Sequence, residues 1–218
     1  NPREYTVSLW VNPASINTSQ GSNIICQTNG DLPPVSINYY SSQIRINAAG
    51  HFEHYTLFGG GAEEVTDGAE VTTGQWYHVA ATGTSHGYMR LYVDGQEVGT
   101  AQDIDNLWSN ADKWRIGAQT WHQGWFDGAV DDVMIYEVAL TAAEINDLYT
   151  GSAEPDTAPL HHYQLDESSG TVAHDSGTAQ VVDQAMPRPQ VDIDSDGQVS
   201  FADFASLDED WLTNNMWP

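Results

Sequence analysis

Gly74 to Val98 reads GQWYHVAATGTSHGYMRLYVDGQEV. Trp76, His78 and Ala80 alternate with Tyr77, Val79 and Ala81, and Tyr88, Arg90 and Tyr92 alternate with Met89, Leu91 and Val93. A period of two predicts strands with one apolar face. Asp94-Gly95 then sits between Leu91-Tyr92-Val93 and Gln96-Glu97-Val98. Asp-Gly suits a turn whose two central residues both need positive φ, so the stretch predicts a tight hairpin. Such a ribbon is not stable alone in water. It requires a second sheet, and an all-β sandwich is the simplest answer.

Working outward, Tyr5 to Val11 alternates cleanly and ends at Asn12-Pro13. Asn23 to Thr28 predicts a second strand. Val35 to Tyr40 and Gln43 to Asn47 read as a hairpin across Ser41-Ser42. His51 to Phe58 alternates again until the glycines at 59, 60 and 61. Glu63 to Thr73 is an acidic connection with room for one short edge strand. Trp114 to Gly117 and Phe126 to Tyr136 are the later strands. Thr141 and Glu144 have capping-box spacing, so a helix is expected to start there.

These segments, in this order, resemble the laminin-G-like, concanavalin A-like domains of the bacterial type. GQWYHVA followed by LYVDG is similar to the family's central hairpin. YTVSLWVNP is similar to its FTLSAWVKP strand, and FDGAVDDVMIY to its FDG-x-IDEVRIY strand. The resemblance covers roughly residues 3–150. It implies a two-sheet antiparallel jelly-roll sandwich over 1–152. Leu160 to Gly170, with Ala173 to Ser176, resembles the opening of such a domain, which is missing at the N-terminus. Residues 153–178 are thus a linker and a displaced opening strand. That strand either begins a further repeat, completes this sandwich, or completes a neighbouring molecule.

Residues 179–190 read as a second linker, and 191–218 as a small calcium-loop and helix module. Asp192, Asp194 and Asp196 supply side-chain oxygens at loop positions 1, 3 and 5, and Gly197 permits the sharp turn. Gln198 offers its carbonyl, Ser200 acts through water, and Asp203 closes the loop at position 12. The pattern resembles a single dockerin repeat, whose family generally carries two. The expected cofactor is Ca2+; the plain alternative is an acidic, solvated turn. Asp131 and Asp132, with Asp127, are a second candidate metal site, because a carboxylate ending a core strand is costly unless paired or metal-bound. The resemblance implies a structural calcium near such a strand, and the alternative is that these aspartates accept backbone hydrogen bonds or face solvent.

Candidate ligand-binding residues are Trp121, His122 and Trp125 in a loop with Gly124, extended by Trp108 and Tyr55. Exposed indoles stack on the apolar faces of sugar rings; the alternative is that they anchor the loop against the sandwich rim. His51 and His54 are three apart, so a strand would send them to opposite faces. They read as two unrelated surface histidines.

Composition narrows the function. Six Lys+Arg against 31 Asp+Glu give a formal charge of −25. That excludes nucleic acid, whose phosphates need a basic face, and disfavours an anionic membrane. No apolar run is long enough to span a bilayer. The single cysteine, Cys26, lies in the apolar run Ile24-Ile25-Cys26 and rules out an internal disulfide framework. The chain begins at Asn1 without Met, which fits a processed chain or a fragment. No strand carries carboxylates at hydrolase spacing. The sequence therefore predicts a non-catalytic, secreted or cell-surface recognition or adhesion module, calcium-stabilised, whose partner is a glycan or an extracellular protein. The alternative is a structural assembly protein, self-associating through 160–178 or through the dockerin-like module.

Overall fold

The computed structural model describes residues 4–28, 40–58, 61–84, 87–102, 113–117, 124–167 and 173–178. Among these residues eleven strands and one helix follow in order: β1 Glu4–Pro13, β2 Ser22–Thr28, β3 Tyr40–Ile46, β4 Phe52–Phe58, β5 Gly61–Thr66, β6 Tyr77–Thr84, β7 Tyr88–Val93, β8 Gln96–Gln102, β9 Lys113–Ile116, β10 Gly128–Tyr136, α1 Ala142–Thr150 and β11 His161–Tyr163. They build two antiparallel sheets. One has six strands in the order β11-β10-β1-β6-β7-β8, the other five in the order β5-β4-β3-β2-β9.

Alternation decides which side chains meet between the sheets. Tyr5, Val7, Leu9 and Val11 of β1 face Ile44, Ile46 and Phe52 of the opposite sheet in one buried cluster, joined by Val79, Ala81, Met89, Leu91, Val133 and Ile135. Each fully buried aliphatic side chain of this kind contributes roughly 1.5–3 kcal/mol. The jelly-roll sandwich is thus closed by the inward residues of every strand in the Gly74–Val98 hairpin. Its turn has both central residues in the left-handed region, Asp94 at φ 47° and Gly95 at φ 75°. Gly95 is needed for space as well, since a Cβ there would come within 2.8 Å of the Tyr149 ring.

The outer face of the six-stranded sheet is covered in part by α1. Ile145 and Leu140 pack on Ala80, Tyr92, Met134 and Tyr136. The helix starts as its sequence requires: Thr141 Oγ1 accepts from Glu144 N–H, and the Glu144 carboxylate accepts from Thr141 N–H. It ends at Gly151, whose φ of 65° closes the last turn.

Two expectations are corrected. Ser41-Ser42 is not a turn, because β3 runs through it. The Ser-Ser step coincides with a register shift, with Tyr40 opposite Leu57 but Gln43 opposite Tyr55. One extra residue is absorbed as a bulge rather than as a reversal. His54 is not on the surface but fully buried between the sheets. Its ring is satisfied there at both nitrogens, by the Tyr5 hydroxyl at 2.7 Å and the Arg90 carbonyl at 3.0 Å. His51 stays near the rim, its Nδ1 2.9 Å from the Ala69 carbonyl.

The displaced segment 160–178 lies along β10 of the same chain. Val133, Met134 and Ile135 pair antiparallel with Tyr163, His162 and His161. Among the described residues, no helix is long and apolar enough to cross a membrane.

Candidate functional site

The uncovered part of the same outer face holds an open cleft of about 510 Å³, lined by Trp10, Trp76, Asp131, Asp132, Gln164 and Asp166. Four segments build it. In β1, Leu9 and Val11 point inward, so Trp10 points outward. At the start of β6, Tyr77 packs against the core, which puts Trp76 on the outer side with His78. Trp10 is supported by the His78 ring at 5.4 Å and the Tyr149 ring at 5.8 Å. Trp76 is 43% exposed.

The carboxylates come from a break in alternation. Val130 and Val133 both belong to the core, although an unbroken strand would turn residues three apart to opposite faces. The register with β1 shows why: Ser8 faces Met134 but Trp10 faces Asp131. Between these pairs one residue of β1, Leu9, opposes two of β10, Asp132 and Val133, which is a β-bulge. Asp132 takes the left-handed conformation, φ 49°. The bulge brings Asp131 and Asp132 together to the cleft. Beside it, Leu165 is also left-handed, φ 56°, an unusual conformation for a bulky residue. Leu165 packs on the core while Gln164 and Asp166 line the cleft.

Hydrogen bonds fix this arrangement. Asp132 Oδ1 lies 2.7 Å from His162 Nε2 of β11. Asp132 N–H donates to Asp131 Oδ1 at 3.0 Å. Burial pushes the Asp131 carboxyl above the usual range, and the charges of Asp132 and Asp166 push the same way against that backbone hydrogen bond. Burial also lowers His78 to about 4, although the Asp132 charge pulls it upward. His78 Nε2 is 2.8 Å from Ser8 Oγ, while its Nδ1 is buried without a partner.

A second hydrogen-bonded group holds β11 in place. His161 Nδ1 lies 2.7 Å from Asp175 Oδ2, and Asp175 Oδ1 accepts from the His162 and Gly177 N–H groups, each at 2.9 Å. Burial raises the Asp175 carboxyl, but these hydrogen bonds outweigh it and hold it below the ordinary value.

The residues singled out from sequence are distributed differently. Trp108, Trp121 and His122 lie outside the described residues, as do Asp192, Asp194, Asp196, Gln198, Ser200 and Asp203. Trp125 is half-buried and bridged in parallel to Asn23. Tyr55 is on the five-stranded sheet with the Arg45 guanidinium 4.0 Å from its ring centroid. Neither lines the cleft. Asp127 ties two loops together: its carboxylate accepts from Ser15 Oγ at 2.6 Å and its carbonyl from Ala14 N–H. Asp131 and Asp132 do share a site, but Asp132 is engaged by His162. No three His, Cys, Asp or Glu side chains gather around a metal position among the described residues. Sequence reading missed Trp10, Trp76, Gln164 and Asp166. The outward phase of Trp10 and Trp76 was readable from their neighbours, and the Val130–Val133 spacing was the trace of the bulge.

Several solved structures share the fold. A protein from Bacteroides ovatus, described provisionally as carbohydrate binding, aligns with a TM-score of 0.58 and 22% identity over 80% of this chain and 49% of its own. The chain thus spans about half of that protein's length. Domain 4 of an extracellular arabinanase from Geobacillus stearothermophilus, solved with arabinotriose, aligns at 0.52 and 22% over 68% of each chain. The receptor-binding domain of botulinum neurotoxin D aligns at 0.51 and 19% over 69% of this chain and 37% of its own. No curated protein is similar enough in sequence to match. Residues 1–146, which include Trp10, Trp76 and the Asp131–Asp132 bulge, match the laminin-G-like family described as concanavalin A-like lectins and glucanases. With that match over about two thirds of its length, the chain belongs to the concanavalin A-like lectin/glucanase superfamily.

Proposed function

We propose that the chain is a non-catalytic carbohydrate-recognition module that binds glycan in the Trp10–Trp76 cleft. The observation that carries this reading is Trp76, an indole 43% exposed at the mouth of a cleft that also presents carboxylate and amide groups. A sugar ring offers an apolar C–H face and a rim of hydroxyl donors. An indole matches the first, and carboxylates accept from the second. Ligand pockets commonly combine such an apolar wall with a few convergent polar groups. The descriptions of the Bacteroides ovatus and arabinanase structures support glycan as the ligand class. The non-catalytic reading is supported by the descriptions of the Bacteroides ovatus protein as carbohydrate binding and of the arabinanase's domain 4 in complex with arabinotriose.

The module belongs outside the cell in this reading, in line with its acidity and the described surroundings of the arabinanase domain. Calcium is assigned to the 192–203 loop on its oxygen spacing alone, as a stabiliser of the C-terminal module. A glycan array probed with the full chain tests the main proposal. Binding that disappears in Trp76→Ala, with no reducing ends released from any bound glycan, is the expected result. Release of reducing ends would replace it with a hydrolase.

A further inference from the structure

The cleft is unusual in charge as well as shape. Among the described residues its lining holds three carboxylates, one amide and two indoles, and no Lys or Arg. The His162 imidazole beside it is already engaged by Asp132. Carboxylates alone would be a solvated patch. Here they are flanked by aromatic walls, and the Asp131 carboxyl is forced upward by burial and by its two neighbours. Against Trp10 lies His78, 2% exposed, with one ring nitrogen unpartnered. The cleft therefore combines hydrogen-bond acceptors, uncompensated negative charge and π faces.

Each ligand class meets this differently. A uronic or sulfated glycan would be repelled. A neutral glycan would use the acceptors but leave the charge uncompensated. For a bare divalent cation, no three His, Cys, Asp or Glu side chains converge among the described residues. A protonated amine fits all three features: it donates several hydrogen bonds, neutralises charge, and is attracted to indole faces.

We propose that the cleft takes a glycan bearing a protonated amine, of the glucosamine type, with its ammonium between Asp131 and Asp166 and a ring face on Trp76. This rests on the reading of the cleft as a glycan site. The chain's net charge of −25 would draw such a ligand in from a distance.

The test is calorimetric titration of the full chain with four probes at about pH 6, where an aliphatic sugar amine is protonated. The probes are a glucosamine oligomer, its N-acetylated counterpart, a galacturonate oligomer and oligolysine. The expected result is a preference of about tenfold or more for the free amine over the acetylated form, shrinking as salt is added. Asp131→Asn and Asp166→Asn should each reduce that preference to about twofold. Trp76→Ala, at an exposed position, should abolish binding of both glucosamine-type oligomers without unfolding the chain; near-UV dichroism checks the fold of every variant. Equal or tighter binding of the acetylated oligomer would overturn the amine assignment and leave the glycan site standing. Binding of no saccharide at all would overturn both. Oligolysine binding as tightly as the glucosamine oligomer would show that the cleft reads charge on peptides instead. Stoichiometric displacement of the amine by calcium would make it a metal site.

Discussion

The Asp132 carboxylate and the His162 imidazole meet at 2.7 Å across the outermost ladder of the six-stranded sheet. This contact ties together the two irregular points of the cleft. Asp132 holds a left-handed conformation in β10, and β11 leads directly into the left-handed Leu165. Backbone in such regions costs about 1–3 kcal/mol per residue and persists only where its surroundings enforce it. The His162 contact and the Asp175 hydrogen bonds supply that enforcement, so β11 and the cleft form one unit.

Truncation tests that unit. Removing residues after 152 would strip β11 from β10 and expose an unpaired edge. It would also remove Gln164 and Asp166 from the cleft. The 1–152 fragment is expected to melt lower than the full chain and to aggregate, as read by calorimetry and light scattering. A stable monomeric fragment would show that β11 is dispensable. His162→Ala is milder: a partly exposed pair of this kind contributes about 1 kcal/mol or less.

Acid should destabilise the fold through two buried imidazoles. Burial lowers His54 to about 4, against a hydrogen bond with the Arg90 carbonyl that pulls upward, and lowers His78 to about 4 as well. Both titrate at about 6.5 when unfolded. Between those values the unfolded chain binds protons that the folded chain does not. This contribution is therefore complete above about pH 6.5 and is lost progressively as pH falls from there to about 4, by roughly 3 kcal/mol for each histidine. Denaturant unfolding at about pH 7.5 and about pH 5 reads the slope. His54→Gln should make it shallower, and an unchanged slope would remove His54 from the account.

The two cleft tryptophans should separate stability from binding. Trp76 is substantially exposed, so Trp76→Ala should change stability by about 0.5 kcal/mol or less while abolishing glycan binding. Trp10 packs on His78 and Tyr149, so Trp10→Ala should also cost about 1–3 kcal/mol. Glycan binding that survives Trp76→Ala would move the site elsewhere, with the loop tryptophans 121 and 125 next to be tested.

Calcium binding should map to the C-terminal loop. Asp194→Ala combined with Asp196→Ala is expected to eliminate one calcium equivalent in a titration and leave the sandwich's melting unchanged. Retention of that ion in the double variant would assign it to other residues.

Local sequence was enough for much of this. Alternation in Tyr5–Val11 and Tyr88–Val93 marked the inward residues, because a strand's side-chain period is a property of its own backbone. Asp94-Gly95 declared the hairpin, since few residue pairs tolerate positive φ at both positions. Thr141 and Glu144 declared the helix start through a hydrogen-bond exchange spanning only three residues.

What the chain could not declare locally depends on a partner strand. Ser41-Ser42 had turn composition, yet pairing with β4 makes it a bulge. His54 looked like a surface residue until Tyr5 and Arg90, 49 and 36 positions away, supplied its hydrogen bonds. Asp131 and Asp132 face the cleft together only because the register against β1 slips by one residue. Trp10, Trp76 and Asp166 are separated by long stretches of sequence and become neighbours only when β1, β6, β10 and β11 lie side by side. Composition and periodicity therefore determined the sandwich and its core. Strand order and register, which arise from pairing between distant segments, decided where the cleft lies and which residues line it.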